Sequence, residues 1–181
     1  MKLVYYIDTN IFVSYLRGKD KRLRDKLNSF TYAEIKIPSI VKGELLAGAI
    51  KSNKPYLNII EVEKLCRPFE IVPFDNSMLM TYGKIRAALE LKGQKIGAND
   101  TIIATTVLYR KGILVTNNVK EFSRVEGLMI EDWTSSNSSK GELYSLRKNR
   151  VLVTGGAVSL CKIPTSIILR WVSKYFKIQI Q

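Results

Sequence analysis

Short apolar runs alternate with amphipathic stretches over the first 133 residues of the chain. Residues 3–7 form an apolar run that ends in Asp8-Thr9-Asn10 and predicts a buried strand leading into a helix. Similar runs predict four more strands, at 34–37, 69–72, 113–116 and 128–130. The stretches between them predict helices at 11–16, 19–30, 39–50, 55–66, 76–93, 99–109 and 119–122. This alternation predicts an α/β/α sandwich around a mostly parallel sheet of about five strands.

Cap and breaker residues set the expected helix ends. Pro38 ends the second predicted strand, and Ser39 is expected to cap the helix that follows. Pro55 is expected to open the next helix, and Asp75 or Asn76 to cap the long one.

The composition changes after Trp133. Residues 134–139 are all Thr, Ser or Asn, as in a linker, and the remaining segment has no clear period. We therefore expect one domain over residues 1–133 and a basic extension over 134–181, to which the sequence assigns neither order nor function.

The formal net charge is +13, from 29 basic and 16 acidic residues. Residues 134–181 hold eight basic and one acidic residue, or +7, which leaves +6 for residues 1–133. This excess favours a polyanionic partner such as nucleic acid, or an acidic protein. Five cations occupy the helix predicted at 19–30, where they either follow RNA phosphates or form a solvated face: Lys19, Lys21, Arg22, Arg24 and Lys26.

The chain has no histidine and only two cysteines, Cys66 and Cys161, which lie far apart. A Ser-His-Asp triad, a Cys-His pair, a zinc site and histidine-based RNA cleavage are therefore excluded. Carboxylates or lysines must therefore be the catalytic groups if the chain is an enzyme.

Nothing at the N-terminus resembles a signal peptide, and no segment has the composition of a membrane span, so we expect a cytoplasmic location.

Three carboxylates fall on apolar faces. Asp8 ends the first predicted strand, and both Glu44 and Asp100 have apolar or small residues one helical turn away, so both are expected to face inward. Each has an ordinary alternative: Asp8 as a helix cap, Glu44 at a solvated rim, Asp100 at a helix dipole. Converging carboxylates repel one another, and a cation relieves that repulsion. An all-oxygen ligand set selects Mg²⁺ or Mn²⁺.

Four segments together resemble the PIN-domain ribonucleases, and more narrowly the VapC toxins of toxin–antitoxin pairs. They are residues 6–11 around Asp8, residues 39–48 around Glu44, residues 96–104 around Asp100, and residues 115–133. The resemblance covers residues 1–133 in order and spacing.

The resemblance implies Mg²⁺- or Mn²⁺-dependent hydrolysis of RNA phosphodiesters, with tRNA or rRNA as target. Asp8, Glu44 and Asp100 match the family's acidic positions. At the fourth position Asn118 stands where some relatives carry Asp, and Glu121 lies one helical turn further on, so either residue, or neither, completes the site. Thr9, Asn10 and Thr116 are candidates for orienting the ligands or for ordinary turn capping.

The resemblance also implies a VapB-type antitoxin, which places a basic side chain in the acidic site, and a homodimer. Arg86 either bridges to the carboxylates or pairs with Glu90.

Two other enzyme or signalling classes fit poorly. A receiver-like domain needs an acidic residue at the end of the third strand, where Val72-Pro73 stands, and an Asp-x-Asp phosphatase needs an acid in place of Asn10. A catalytically inactive PIN-like module that binds RNA or protein remains open, because Asn118 replaces an acid.

Overall fold

The computed structural model describes residues 3–18 and 20–135. The strands are β1 (Tyr5–Ile7), β2 (Ile35–Pro38), β3 (Glu70–Val72), β4 (Ile113–Val115) and β5 (Met129–Glu131). The helices are α1 (Thr9–Leu16), α2 (Lys21–Asn28), α3 (Ser39–Ile50), α4 (Pro55–Cys66), α5 (Leu79–Leu91), α6 (Ala98–Tyr109) and α7 (Val119–Phe122).

The five strands form one sheet in the order β3-β2-β1-β4-β5, and every neighbouring pair is parallel. Helices flank the sheet, which confirms the α/β/α sandwich predicted from the apolar runs. The chain extends the sheet first on one side of β1, through β2 and β3, and then on the other, through β4 and β5. Strands β1 and β4 are therefore the topological switch point, where parallel α/β sheets leave a crevice at the carboxyl ends of their strands.

The core explains why the short strands are stable. Strand β4 is buried along its whole length, and α6 is buried almost all round from Ile103 to Val107. Burial on both faces accounts for the apolar sequence of β4. In α6 the two buried threonines, Thr105 and Thr106, donate their hydroxyls to carbonyls one turn earlier in the helix.

An aromatic cluster holds the end of β5 against the segment that precedes β2. The ring of Trp133 stacks on Phe30 with centroids 5.0 Å apart, and Tyr5 packs 4.8 Å from Phe30. The Nζ atom of Lys26 lies 5.6 Å from the Trp133 ring, within cation–π range.

Helix α2 is amphipathic in the way its sequence predicts. Leu23 and Leu27 are buried, while its four cations, Lys21, Arg22, Arg24 and Lys26, are exposed. Lys19 lies outside the described residues.

Two predicted helix caps need correction. Ser39 does not cap α3: it is the first helical residue, and Pro38 occupies the cap position without a side-chain hydrogen bond. Asp75 does cap, accepting from the Ser77 backbone N–H at 2.9 Å, but the element it caps is a short 3₁₀ turn, Asn76–Met78, that leads into α5.

The predicted extension falls almost wholly on residues 136–181, which lie outside the described residues, so the domain division stays a prediction. Within residues 3–18 and 20–135, no helix is both long and apolar enough to cross a bilayer.

Candidate active site

Asp8 lies at the carboxyl end of β1, where its backbone N–H donates to the Val115 carbonyl of β4 at 3.0 Å. Its side chain is buried, with 3% of its surface exposed. One carboxylate oxygen, Oδ1, accepts from the Thr9 N–H at 2.7 Å and caps α1. The other, Oδ2, accepts from the Thr116 hydroxyl at 2.6 Å. The cap and the buried-acid interpretations of Asp8 are thus both correct.

Thr116 joins Asp8 to the loop after β4. Its hydroxyl oxygen accepts from the Asn118 N–H at 3.0 Å while donating to Asp8, so the direction of the Thr116 O–H is fixed. Burial raises the pKa of Asp8, and the charge of Glu44 adds to that effect, while the hydrogen bonds from Thr116 and Thr9 oppose it. Thr116 therefore stabilises the ionised form of a buried acid.

Glu44 is half-buried on α3, rather than fully inward as its helical neighbours predicted. Both of its oxygens accept hydrogen bonds. The Thr9 hydroxyl donates to Oε2, and the Asn99 side-chain amide donates to Oε1 at 2.7 Å. Glu44 is therefore tied to the first turns of both α1 and α6.

Asp100 lies in the first turn of α6 and is also half-buried. Burial, followed by a hydrogen bond with Glu121 and by the negative charges of Asp8, Glu121 and Glu44, raises the pKa of Asp100 to about 6. Four carboxylates on separate elements therefore share one electrostatic environment at the β1–β4 switch point.

Asn118 and Glu121, the two candidates for the fourth site position, make different contacts in the loop after β4 and the turn of α7. The Asn118 side-chain amide donates to Glu121 Oε2 at 3.1 Å, and Glu121 in turn shares a hydrogen bond with Asp100. Glu121 is therefore the acid that reaches Asp100, and Asn118 supports it.

Two predicted residues lie away from this group. Asn10 is exposed on α1. Arg86, on α5, donates to Glu90 at 3.1 Å and to the Tyr82 hydroxyl at 3.0 Å, so pairing within its own helix is the correct alternative.

Asn99 contacts a site carboxylate, Glu44, but was not predicted from the sequence as a site residue. Its place directly before Asp100 was the available signal, but its contact with Glu44 depends on how α3 and α6 pack.

The donor set fits a hard divalent cation, because carboxylates, amides and hydroxyls supply only oxygen ligands. Within residues 3–18 and 20–135, however, no three acidic or cysteine side chains already surround one point that an ion could occupy. Holding an ion through three carboxylates therefore requires side-chain movement, and the fit rests on donor chemistry and shared charge.

The sequence matches the PIN domain family over residues 5–128. It is 36% identical over 131 residues to the tRNA(fMet)-specific endonuclease VapC of Salmonella typhimurium, covering 72% of this chain and 98% of the relative. It is also 36% identical over 132 residues to ribonuclease VapC2 of Rickettsia felis, covering 72% of this chain and 98% of that protein.

Solved structures show the same similarity. The crystal structure of DNA-bound VapBC from Salmonella typhimurium matches with a TM-score of 0.69 and 35% identity, over 72% of this chain and 98% of that one. VapBC2 from Rickettsia felis, bound to a DNA fragment from its promoter, matches with a TM-score of 0.68 at 35% identity, over 72% of this chain and 99% of that one. The chain therefore belongs to the PIN domain family and, within it, to the VapC group.

Proposed function

We propose that this chain is a metal-dependent endoribonuclease that hydrolyses RNA phosphodiester bonds as the toxin of a VapBC-type pair. The observation that carries the proposal is the grouping of Asp8, Glu44 and Asp100 on separate parts of the chain, near enough to one another for Asp8 and Glu44 both to raise the pKa of Asp100. The relatives named as ribonucleases support the same reaction. By analogy with the relative named for tRNA(fMet), we propose tRNA as substrate, with rRNA as the alternative.

Asp8, Glu44 and Asp100 are the residues that would hold Mg²⁺ or Mn²⁺, with Glu121 as a fourth acid. Such an ion would supply Lewis-acid chemistry, namely acidification of water and neutralisation of the charge that builds up on the phosphate. Thr116 orients Asp8 through the hydrogen bond at 2.6 Å and, by that bond, opposes the rise in the pKa of Asp8 that burial causes. Glu44, held by two donors, would hold the ion through a water molecule and so keep a lone pair with which to accept the proton from the attacking water.

The proposed partner is a VapB-type antitoxin, because the neighbouring structures are VapBC complexes. A groove of about 520 Å³ begins beside Glu44 and runs between α1, α3 and α4. Apolar side chains line much of it, including Val13, Leu16 and Leu45. An antitoxin segment seated there would cover Leu16, which is 42% exposed, and bring a basic side chain to the carboxylates.

The homodimer and the cytoplasmic location are also still predictions. The homodimer is tested by the mass of the purified chain in light scattering, and the cytoplasmic location by fractionation of cells that produce it.

The test of the proposed function is cleavage of labelled tRNA and rRNA by the purified chain, freed of antitoxin, with Mg²⁺ or Mn²⁺ and with EDTA. We expect discrete cuts that EDTA abolishes and that Asp100→Asn reduces by about 100-fold or more. The matched control is Asp25→Asn, which makes the same change in charge at an exposed position on α2 and should cleave like the parent.

The competing function is an inactive module that binds RNA or protein. It is favoured if the folded parent binds both RNAs, binds Mn²⁺ and cuts neither. Equal cleavage by Asp100→Asn and the parent would contradict the proposed site instead.

A further inference from the structure

Glu44 is held by the sequence neighbours of two other site carboxylates. Thr9 follows Asp8 directly, and its hydroxyl donates to Glu44 Oε2. Asn99 precedes Asp100 directly, and its amide donates to Glu44 Oε1 at 2.7 Å. The three acids are thus connected through two polar residues that carry no charge themselves.

These hydrogen bonds leave Glu44 able to bind a cation. An ionised carboxylate offers about four lone-pair positions on its two oxygens, and each Glu44 oxygen accepts one of the two bonds described above. An unrestrained glutamate loses rotational freedom when it binds an ion, and a donor that already fixes the carboxylate lowers that loss. The two donors therefore prepare Glu44 without blocking it.

Of the two donors, Asn99 is the one with no other evident task. Thr9 also belongs to the turn that Asp8 caps, whereas the Asn99 side chain is exposed and spans 55 positions of sequence to reach α3. A neutral amide suits this place, since it donates a hydrogen bond without adding a further negative charge to the group.

We propose that Asn99 is a positioning residue that fixes the Glu44 carboxylate, and with it α3, relative to Asp100 for binding of the divalent cation. This inference rests on the proposed function. Asn99 acts through Glu44 and does not itself contact the ion.

The experiment measures Mn²⁺ binding to the metal-free full chain by electron paramagnetic resonance, in the parent, Asn99→Ala, Glu44→Ala and the double variant. Asn99→Ala should weaken Mn²⁺ binding by about 10- to 100-fold. In the Glu44→Ala background the same change should alter binding less than about twofold, because Asn99 then has no carboxylate to hold. RNA cleavage by Asn99→Ala should recover towards the parent rate at saturating Mn²⁺.

Two further variants serve as controls for this experiment. Asn99→Leu removes the donor while keeping the side chain's approximate shape, and should weaken Mn²⁺ binding like Asn99→Ala. Asn28→Ala, at an exposed asparagine on α2, should bind like the parent. Thermal unfolding of each variant reports its folding.

Unchanged or tighter Mn²⁺ binding by folded Asn99→Ala would overturn the inference while leaving the proposed function in place. An equal loss with and without Glu44 would also overturn it, because Asn99 would then act elsewhere. A parent chain that binds no Mn²⁺ would overturn both the proposed function and this inference.

Discussion

At the scale of single residues, Asp100 combines partial burial with three acidic neighbours. Its pKa is raised from 3.8 to about 6, first by burial and then by Glu121, Asp8 and Glu44. The folded chain therefore holds a proton at Asp100 over a pH range in which the unfolded chain has released it. By linkage, the free energy of unfolding must fall as the pH rises through that range.

We expect the metal-free chain in EDTA to lose stability between about pH 4 and about pH 6 through this group. Asp100→Asn has no such proton to release, so its free energy of unfolding relative to the parent should rise across the range and level off above it. Urea unfolding followed by circular dichroism at four pH values measures the difference. A difference that does not change with pH would contradict the prediction.

The sequence allowed some site residues to be predicted and not others. Asp8 could be placed because it directly follows a buried apolar run and because Glu44 and Asp100 also fall on apolar faces, a combination that a helix cap alone does not explain. Asn99 could not, because its role depends on a contact with Glu44 between two helices far apart in sequence. The choice between Asn118 and Glu121 as the fourth site residue stays a prediction; the structure adds that Glu121 contacts Asp100 and that Asn118 donates to Glu121.

At the scale of elements, the turn between α6 and β4 decides whether β4 can pair with β1. Gly112 ends that turn, and a Cβ atom there would lie 2.3 Å from the ring of Tyr6 and 3.0 Å from the Val4 carbonyl. Tyr6 is buried, and the Val4 carbonyl accepts from Ile113 at 2.9 Å, so neither neighbour moves freely.

Gly112→Ala should therefore destabilise the chain by about 1–3 kcal/mol through overpacking. The matched control is Gly83→Ala in the middle of α5, where an added Cβ meets no atom within 4 Å. That change should stabilise the chain by up to about 1 kcal/mol, because alanine favours a helix more than glycine does. Urea unfolding of both variants gives the comparison, and equal effects would show that the close approach to Tyr6 carries no cost.

The order and type of every predicted element are confirmed, while their ends are less accurate. Apolar periodicity is a property of many residues, so one misleading position does not hide a strand or a helix. A helix end depends on local backbone geometry, and Ser39 illustrates this: its type suits a cap, but Pro38 already occupies that place.

At the scale of the whole molecule, more than half of the net positive charge lies after the last described residue, Ser135. Residues 136–181 hold eight basic residues and one acidic residue, which is +7 of the net +13. If this segment contacts RNA phosphates, each contact adds to the salt dependence of binding, by about 0.7 in the slope of log affinity against log salt for single strands.

We expect a chain that ends at Ser135 to fold and to retain cleavage, with weaker RNA binding and a shallower salt slope than the full chain. The control for folding is the thermal unfolding midpoint of the two chains. The measurement is the dissociation constant for one RNA at several KCl concentrations. Equal slopes would show that residues 136–181 take no part in binding, and loss of folding would contradict the domain boundary.

The stack of Trp133 on Phe30 also gives the protein an optical reporter. The chain has two tryptophans, and a chain ending at Ser135 keeps only this one. Trp133 is 4% exposed, and its ring lies 5.4 Å from that of Tyr5, a residue of β1, the strand that Asp8 directly follows. A shift of its emission to longer wavelength would signal water reaching the aromatic cluster of Tyr5, Phe30 and Trp133. Spectral changes on adding metal, RNA or antitoxin can therefore be read without attaching a dye.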